Sequence, residues 1–353
     1  MDPQQLYRWD LAGRPGAEPR PESEGAHLAE EAPAPSAQSD TPPAGAPDVV
    51  AGVVGGIEDV GRRPGSVEEI SATVMVHALR GSVDAGHAGA LVAHHLLESH
   101  PTTRVLTFDM DGLMDYRSRR PSMTFEKGAF TDYSEPALVL DLVGTPSGDL
   151  LLLHGPEPDL HWEAFTRAVR DITTTLGVTT TVGVHGIPMG VPHTRPISVT
   201  SHATSPHLIE AEPDVFGTVQ VPGSAASLLE YRFGQWGKDA LGYAVHVPHY
   251  LAQSEYPAAA VELLRRVSAV SGVDLDTRAL EESAASVLAE ITKQIEDSSE
   301  VAAVVQALEN QYDAFVQAQG RSLLDPGEMP SADELGAQFE AFLAEVDRKG
   351  DEG

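Results

Sequence analysis

The sequence predicts an α/β protein: a mainly parallel, covered sheet followed by a helical C-terminal extension. Three observations carry this. Residues 74–98, VMVHALRGSVDAGHAGALVAHHLLE, pass from an apolar β-branched run through a Gly- and Asp-bearing loop into helix-spaced apolar positions. Strand-like and helix-like stretches then alternate as far as residue 273. Beyond Asp274 the strand signals stop, and helical patterns rich in Ala, Glu, Leu and Val take over.

Residues 1–66 are rich in Pro, Ala, Gly and Glu and show no sustained apolar period. Stretches such as EAPAPSAQSDTPPAGAP cannot bury enough surface to offset the entropy of ordering, so a disordered tail is expected. Its apolar patch, Leu6, Tyr7, Trp9 and Leu11, is expected to be loosely packed; an extra strand or a docking peptide are the alternatives. The α/β core is expected over residues 67–273. Val74, Met75, Val76, Ala78 and Leu79 form its first buried strand, and Ala88, Leu91, Val92 and Leu96 mark the helix that follows. The loop between them, through Gly81, Ser82, Asp84 and Gly86, lacks the dinucleotide glycine pattern and the Lys-Ser/Thr ending of a phosphate loop.

Residues 104–108 (RVLTF) are a second strand candidate, followed by the polar, aromatic segment DMDGLMDYRSRRPSMTFEKGAFTDY. Residues 137–142 and 150–154 flank the turn GTPSGD and read as a hairpin. A helix begins near Pro158 or Asp159, with Leu160, Phe165, Ala168, Val169 and Ile172 at helical spacing and Gly177 at its end. Further strands are expected at 179–187, 216–221 and 240–247, with extended chain at 197–200. Helices are expected in PGSAASLLEYRFGQWG and over 258–270. Residues 274–353 form an acidic helical region with patterns at 280–295, 301–315 and 333–346.

Composition bounds the function. A formal charge of −30 repels phosphate backbones and anionic lipid, so neither nucleic acid nor a membrane surface is an expected partner. The absence of cysteine excludes disulfides, thiolate metal sites and cysteine nucleophiles. Apolar runs such as 150–153 fall far short of the roughly 20 residues of a membrane helix. MDPQQLYRWD lacks a cationic start followed by an apolar stretch, so no secretory leader is expected and a cytoplasmic location is.

Several residues are candidates for chemistry. Arg117, Arg119 and Arg120 crowd into a chain poor in cations, where guanidinium forks can bind an anionic ligand or hold structural carboxylates. His193 and Arg195 lie in PHTRP, after a buried strand, where sites on open sheets form; they suit an oxyanion, a proton shuttle or a rigid structural loop. Ser224 opens a helix without a G-x-S-x-G elbow, so it reads as an N-cap whose helix end can still receive an anion. Asp84 is a general base or a helix cap. His246 and His249 are weak metal candidates with no carboxylate in a recognised pattern, and no HExxH occurs. No cofactor is expected, and no nucleophile, base and orienter stand together.

In collinear order, ALRGSVDAGHA, DGLMDYRSRRPSMTF, GPEPDLHWEAF, IPMGVPHTRP, VPGSAASLLEYR and VHVPHYLAQSEYPAAA resemble the actinobacterial branch of the proteasome assembly chaperone 2 family, over about 71–342. The resemblance implies a nucleoside-phosphorylase-like sheet, a helical C-terminal extension and a homo-oligomer, with a trimer favoured. It also implies a non-catalytic role, binding α-subunits of the core proteasome. Related prokaryotic chaperones dock through a hydrophobic-Tyr-any tail; this sequence ends DRKGDEG, so docking of that kind is not expected. The expected function is therefore an assembly or interaction protein. The alternative is a small-molecule enzyme or ligand-binding protein with an anion site drawn from Asp84, Arg117, Arg120, His193 and Arg195.

Overall fold

The computed structural model describes residues 2–11, 65–81, 83–210, 218–296 and 299–322. The apolar run that opens the core becomes strand β2 (Val74–Arg80), buried except at Arg80. Successive strand side chains point to opposite faces, so Val74, Val76 and Ala78 enter one core layer and Met75 and Leu79 the other. An unbroken apolar run thus reports a strand covered on both sides.

Its partners are β1 (Tyr7–Trp9), β3 (Thr102–Phe108), β6 (Val139–Thr145), β7 (Gly148–Pro156), β8 (Thr180–Met189), β9 (Val199–Ala203) and β10 (Asp239–Pro248). The sheet order is β1-β3-β6-β7-β2-β8-β10-β9. A separate two-stranded hairpin joins β4 (Met123–Glu126) to β5 (Ala129–Tyr133).

Helices cover both faces. On one, α1 (Ala88–Ser99), α5 (Pro257–Ser271) and the start of α6 (Arg278–Glu296) bring Val92, Leu96, Leu263 and Leu280 against Val76, Val182 and Val245. On the other, α3 (Trp162–Thr175) and α4 (Ala225–Gln235) bring Phe165, Val169, Leu229 and Phe233 against Leu106, Leu140 and Leu153. Each fully buried side chain of this kind contributes about 1.5–3 kcal/mol. A short α2 (Met110–Leu113) follows β3, and α7 (Ser299–Ser322) follows α6. Local signals set the helix ends: α4 opens on a capping box between Ser224 and Ser227, while α5 opens on Pro257 and closes on Gly272 at φ +70°.

The α/β class and the helical C-terminal part agree with expectation, but the sheet is mixed. Parallel pairing holds in the centre, through β7, β2, β8 and β10. The pairs β1–β3, β3–β6, β6–β7 and β9–β10 are antiparallel. Only Pro146 and Ser147 join β6 to β7, too short a link for the crossover that a parallel pair needs.

The start of the chain also departs from expectation. Leu6 is fully buried, and β1 pairs with the β3 edge in the register Tyr7↔Phe108 and Trp9↔Leu106. Tyr7 packs 5.9 Å from the Phe108 ring, which lies 5.4 Å from Phe165. The exposed edge of β3 supplied partners that a Pro-rich context concealed. Residues 218–221 form no strand, and Val219 and Val221 are exposed. The β10 edge that such a strand would need is taken by β9. The remainder of the expected tail, residues 12–64, and the helical pattern at 333–346 lie outside the described residues.

Candidate functional site

Asp84, His193, Arg195 and His249 follow the C-terminal ends of β2, β8 and β10, whereas Arg117, Arg119 and Arg120 follow α2 and Ser224 precedes α4. Asp84 follows β2 and is committed to backbone: its Oδ1 accepts from Gly89 N at 2.8 Å and Gly186 N at 3.0 Å, and its Oδ2 accepts from Ala90 N at 3.1 Å. One carboxylate therefore holds the first turn of α1 and ties it to β8. Carboxylates are favoured there because the orphan amides and the helix dipole both attract negative charge.

After β7, Asp159 receives the Arg119 fork, from Nε at 3.1 Å and Nη2 at 2.6 Å, and Arg119 Nη2 also donates to the Glu157 carbonyl. Asp159 further accepts from Asp115 N at 2.8 Å. Arg119 is thus a brace between two loops. Arg117 and Arg120 are exposed, and neither has an ion pair among the described residues. Ser224 is the α4 N-cap, with its Oγ accepting from Ser227 N at 3.0 Å. The anion at that helix end is internal: buried Glu157 accepts from Ala225 N.

The loop after β8 anchors α7. Arg195 reaches Asp313 through Nε at 2.8 Å and Nη2 at 2.7 Å, and Glu309 through Nη1 at 3.2 Å. Thr194 donates to Glu309 as well. The hydrogen bond to Asp313 raises the Arg195 pKa, and Arg195 in turn lowers that of Asp313. Buried His193 places Nδ1 2.7 Å from the Tyr250 hydroxyl, while its backbone N–H donates to the same oxygen at 3.0 Å. Either Nδ1 or the hydroxyl donates in that contact, according to the tautomer, and burial favours the neutral imidazole by lowering the His193 pKa against an opposing pull from Glu309.

A second polar feature, which the sequence did not reveal, crosses the sheet. The row His77, Gly183, Gly242, His202 runs in register over β2, β8, β10 and β9. A Cβ on Gly183 would stand 2.7 Å from His77 Cε1, and one on Gly242 would come still closer to His202 Cε1. Only glycine leaves room for two imidazoles to lie over neighbouring strands. His185, two residues along β8, has its ring 6.4 Å from that of His202, and Glu230 on α4 lies 2.9 Å from His202 Nδ1. Burial, then His185 and His202, pull His77 down to about 4. Burial and His202 also lower His185, against Asp84 and Glu230. The signal was a pair of strand glycines, legible only once the strand register is known.

His246 is turned to Thr200, Nε2 to Oγ1 at 2.8 Å, and exposed His249 meets the Tyr250 ring edge-on at 5.5 Å. Among the described residues no three His, Asp or Glu side chains are placed to hold a metal ion.

The β4–β5 hairpin is an exposed apolar feature. Every residue of both strands is exposed, with Phe125 at 63% and Phe130 at 67%, and the two rings meet edge-to-face at 5.1 Å. Met123 and Tyr133 are exposed beside them. Lys127 and Gly128 turn the chain with φ of 50° and 89°, the doubly positive pattern of a tight hairpin turn. Sequence reading passed over this arm because its strands bury no face; the cue was Lys-Gly between two Phe-bearing runs.

A PAC2 family model matches residues 78–295. Among solved structures, the chain is similar to the Mycobacterium tuberculosis unknown function protein Rv2714, at 49% identity over 70% of this chain and 86% of that one, with a TM-score of 0.68. A protein of unknown function from Corynebacterium glutamicum matches at 38% identity over 73% of this chain and 96% of that one, with a TM-score of 0.67. The M. tuberculosis proteasome-assembly chaperone homologue Rv2125 matches at 27% identity over 66% of this chain and 99% of that one, with a TM-score of 0.60. Comparison with curated proteins finds no match. The family model covers more than half of the chain, and this chain therefore belongs to the PAC2 family.

Proposed function

We propose that the chain is a non-catalytic assembly or interaction protein of the proteasome-chaperone kind, working in the cytoplasm as a homo-oligomer, with a trimer favoured and proteasome α-subunits as partner. Family membership and the likeness to a proteasome-assembly chaperone homologue support a chaperone-like role. The observation that carries the reading is the β4–β5 arm, a two-stranded element with both faces exposed. A lone hairpin is marginal in water, and contiguous exposed apolar surface on a folded protein marks an interaction site. Among the described residues no helix is long and apolar enough to cross a membrane. The alternative, an enzyme or ligand-binding protein with an Asp84, Arg117, Arg120, His193 and Arg195 anion site, has less support, because Asp84 and Arg195 are already engaged by backbone and carboxylates.

The test is affinity capture of the full chain at native expression level, with mass spectrometry, beside a double variant Phe125→Asp and Phe130→Asp. The reading expects proteasome α-subunits with the parent and their loss with the variant. Recovery of no α-subunit by the parent would overturn the partner assignment.

A further inference from the structure

We infer that residues 333–346, which lie outside the described residues, lay an apolar stripe along the outer face of α7 of the same molecule, a contact that does not depend on oligomeric state. The composition of α7 leads to this. Its inner side is settled: Val305 is buried, and Glu309 and Asp313 are held by Arg195. Its outer side carries Val304 and Phe315, 46% and 42% exposed. With Leu308 and Gln311 they recur at i, i+4, i+7 and i+11, and so share one face. No exposed residue described between 303 and 317 is charged. A helix that faces water ordinarily sets charged side chains opposite its core stripe, as α6 does with Glu281, Glu282, Glu290 and Lys293. In a chain of formal charge −30, an outward face without carboxylates belongs to a helix that is covered.

The segment 333–346 has the complementary pattern. Leu335, Phe339, Phe342 and Val346 recur at i, i+4, i+7 and i+11, the same spacing as Val304, Leu308, Gln311 and Phe315. The two stripes are therefore equally long, about 16 Å at 1.5 Å per residue. Asp333, Glu334, Glu340 and Glu345 fall off the apolar stripe. On the exposed face of α6 those carboxylates would meet Glu282 and Glu290, and like charges in contact cost free energy. On the uncharged face of α7 they meet no carboxylate.

The intervening chain permits the return. Residues 323–332, LLDPGEMPSA, reach at most ~35 Å when extended, and Pro326, Gly327 and Pro330 oppose a continuous helix. Turning back antiparallel sets Phe339 against Gln311 and Phe342 against Leu308. A short tether holds its own segment at an effective concentration on the order of mM. A second copy, in contrast, approaches against the repulsion between two chains of charge −30. The occupant of the α7 face is therefore the chain's own segment.

The absence of native cysteine makes Gln311→Cys a direct reporter. In the full-length chain its thiol is expected to react with a maleimide at least tenfold more slowly than in the same chain carrying Phe339→Asp and Phe342→Asp, at every protein concentration. A reporter on the charged face of α6, Glu282→Cys, is expected to react at one rate in both backgrounds, with circular dichroism as the check on the fold. Equal rates at Gln311→Cys in the two chains overturn the inference. So does protection that is lost on dilution, which gives the face to a second copy. Protection that appears only when proteasome α-subunits are added gives it to that partner and overturns the inference as well. Independently, Phe315→Asp on α7 is expected to speed limited proteolysis within 333–346 at least tenfold, and an unchanged rate counts against the contact.

Discussion

Acidification provides a sharp test of the histidine row. His77 titrates at about 4 in the folded chain, because burial first, and then His185 and His202, oppose its charge; an ordinary imidazole titrates near 6.5. The unfolded chain therefore binds the proton at higher pH than the folded one. The stability from a neutral His77 is complete above pH 6.5 and is lost as pH falls from 6.5 towards 4, by about 3 kcal/mol in all. Between pH 7.5 and pH 4.5 the share already lost is about 2.5 kcal/mol. His185 contributes in the same direction. Asp141 acts at lower pH: its burial would raise its pKa, but hydrogen bonds from His154 and Arg104 bring it down overall, so its contribution is lost only as acidification continues. A bare acid titration thus sums several groups. The difference between the parent and His77→Gln, a neutral side chain of similar volume, isolates one. Urea unfolding at pH 7.5 and 4.5 is expected to show the parent losing about 2.5 kcal/mol more than the variant. Equal losses in the two proteins would refute the assignment of a buried, neutral His77.

The remaining predictions test other joints of the structure. Gly183→Ala places a methyl 2.7 Å from His77 Cε1 inside the sheet and is expected to cost about 1–3 kcal/mol in chemical denaturation; an unchanged midpoint would mean that the ring does not lie over Gly183. Leu6→Ala empties a fully buried site beneath β1 and is expected to cost about 2–5 kcal/mol, whereas a loosely packed N-terminus predicts almost no change. Arg195→Gln removes the fork on Asp313 and Glu309. It is expected to speed limited proteolysis within α7 several-fold while shifting global stability by no more than about 1 kcal/mol, and undiminished protection of α7 would show that its apolar contacts suffice.

The amino-acid sequence by itself determined which stretches pair with which secondary structure over most of the core, because that information is local. The run 74–79 had the length and β-branched character of a buried strand, Ser224 had the chemistry of a helix cap, and Pro257 and Gly272 bracket α5. Collinear motifs were sufficient to point to the family that the comparisons show. Tertiary structure decided the rest. Tyr7 to Trp9 became a strand because the β3 edge was free, and residues 218–221 did not because β9 had taken the edge of β10. For Arg119 and Arg195 an anionic ligand and structural carboxylates were both open readings, and the second holds because Asp159, Glu309 and Asp313, distant in sequence, are brought to them. The His77, Gly183, Gly242 and His202 row exists only through strand register, and the arm is exposed only because none of the described residues packs on it. In each case the deciding quantity was the identity of a neighbour across space, which periodicity and local propensity do not encode.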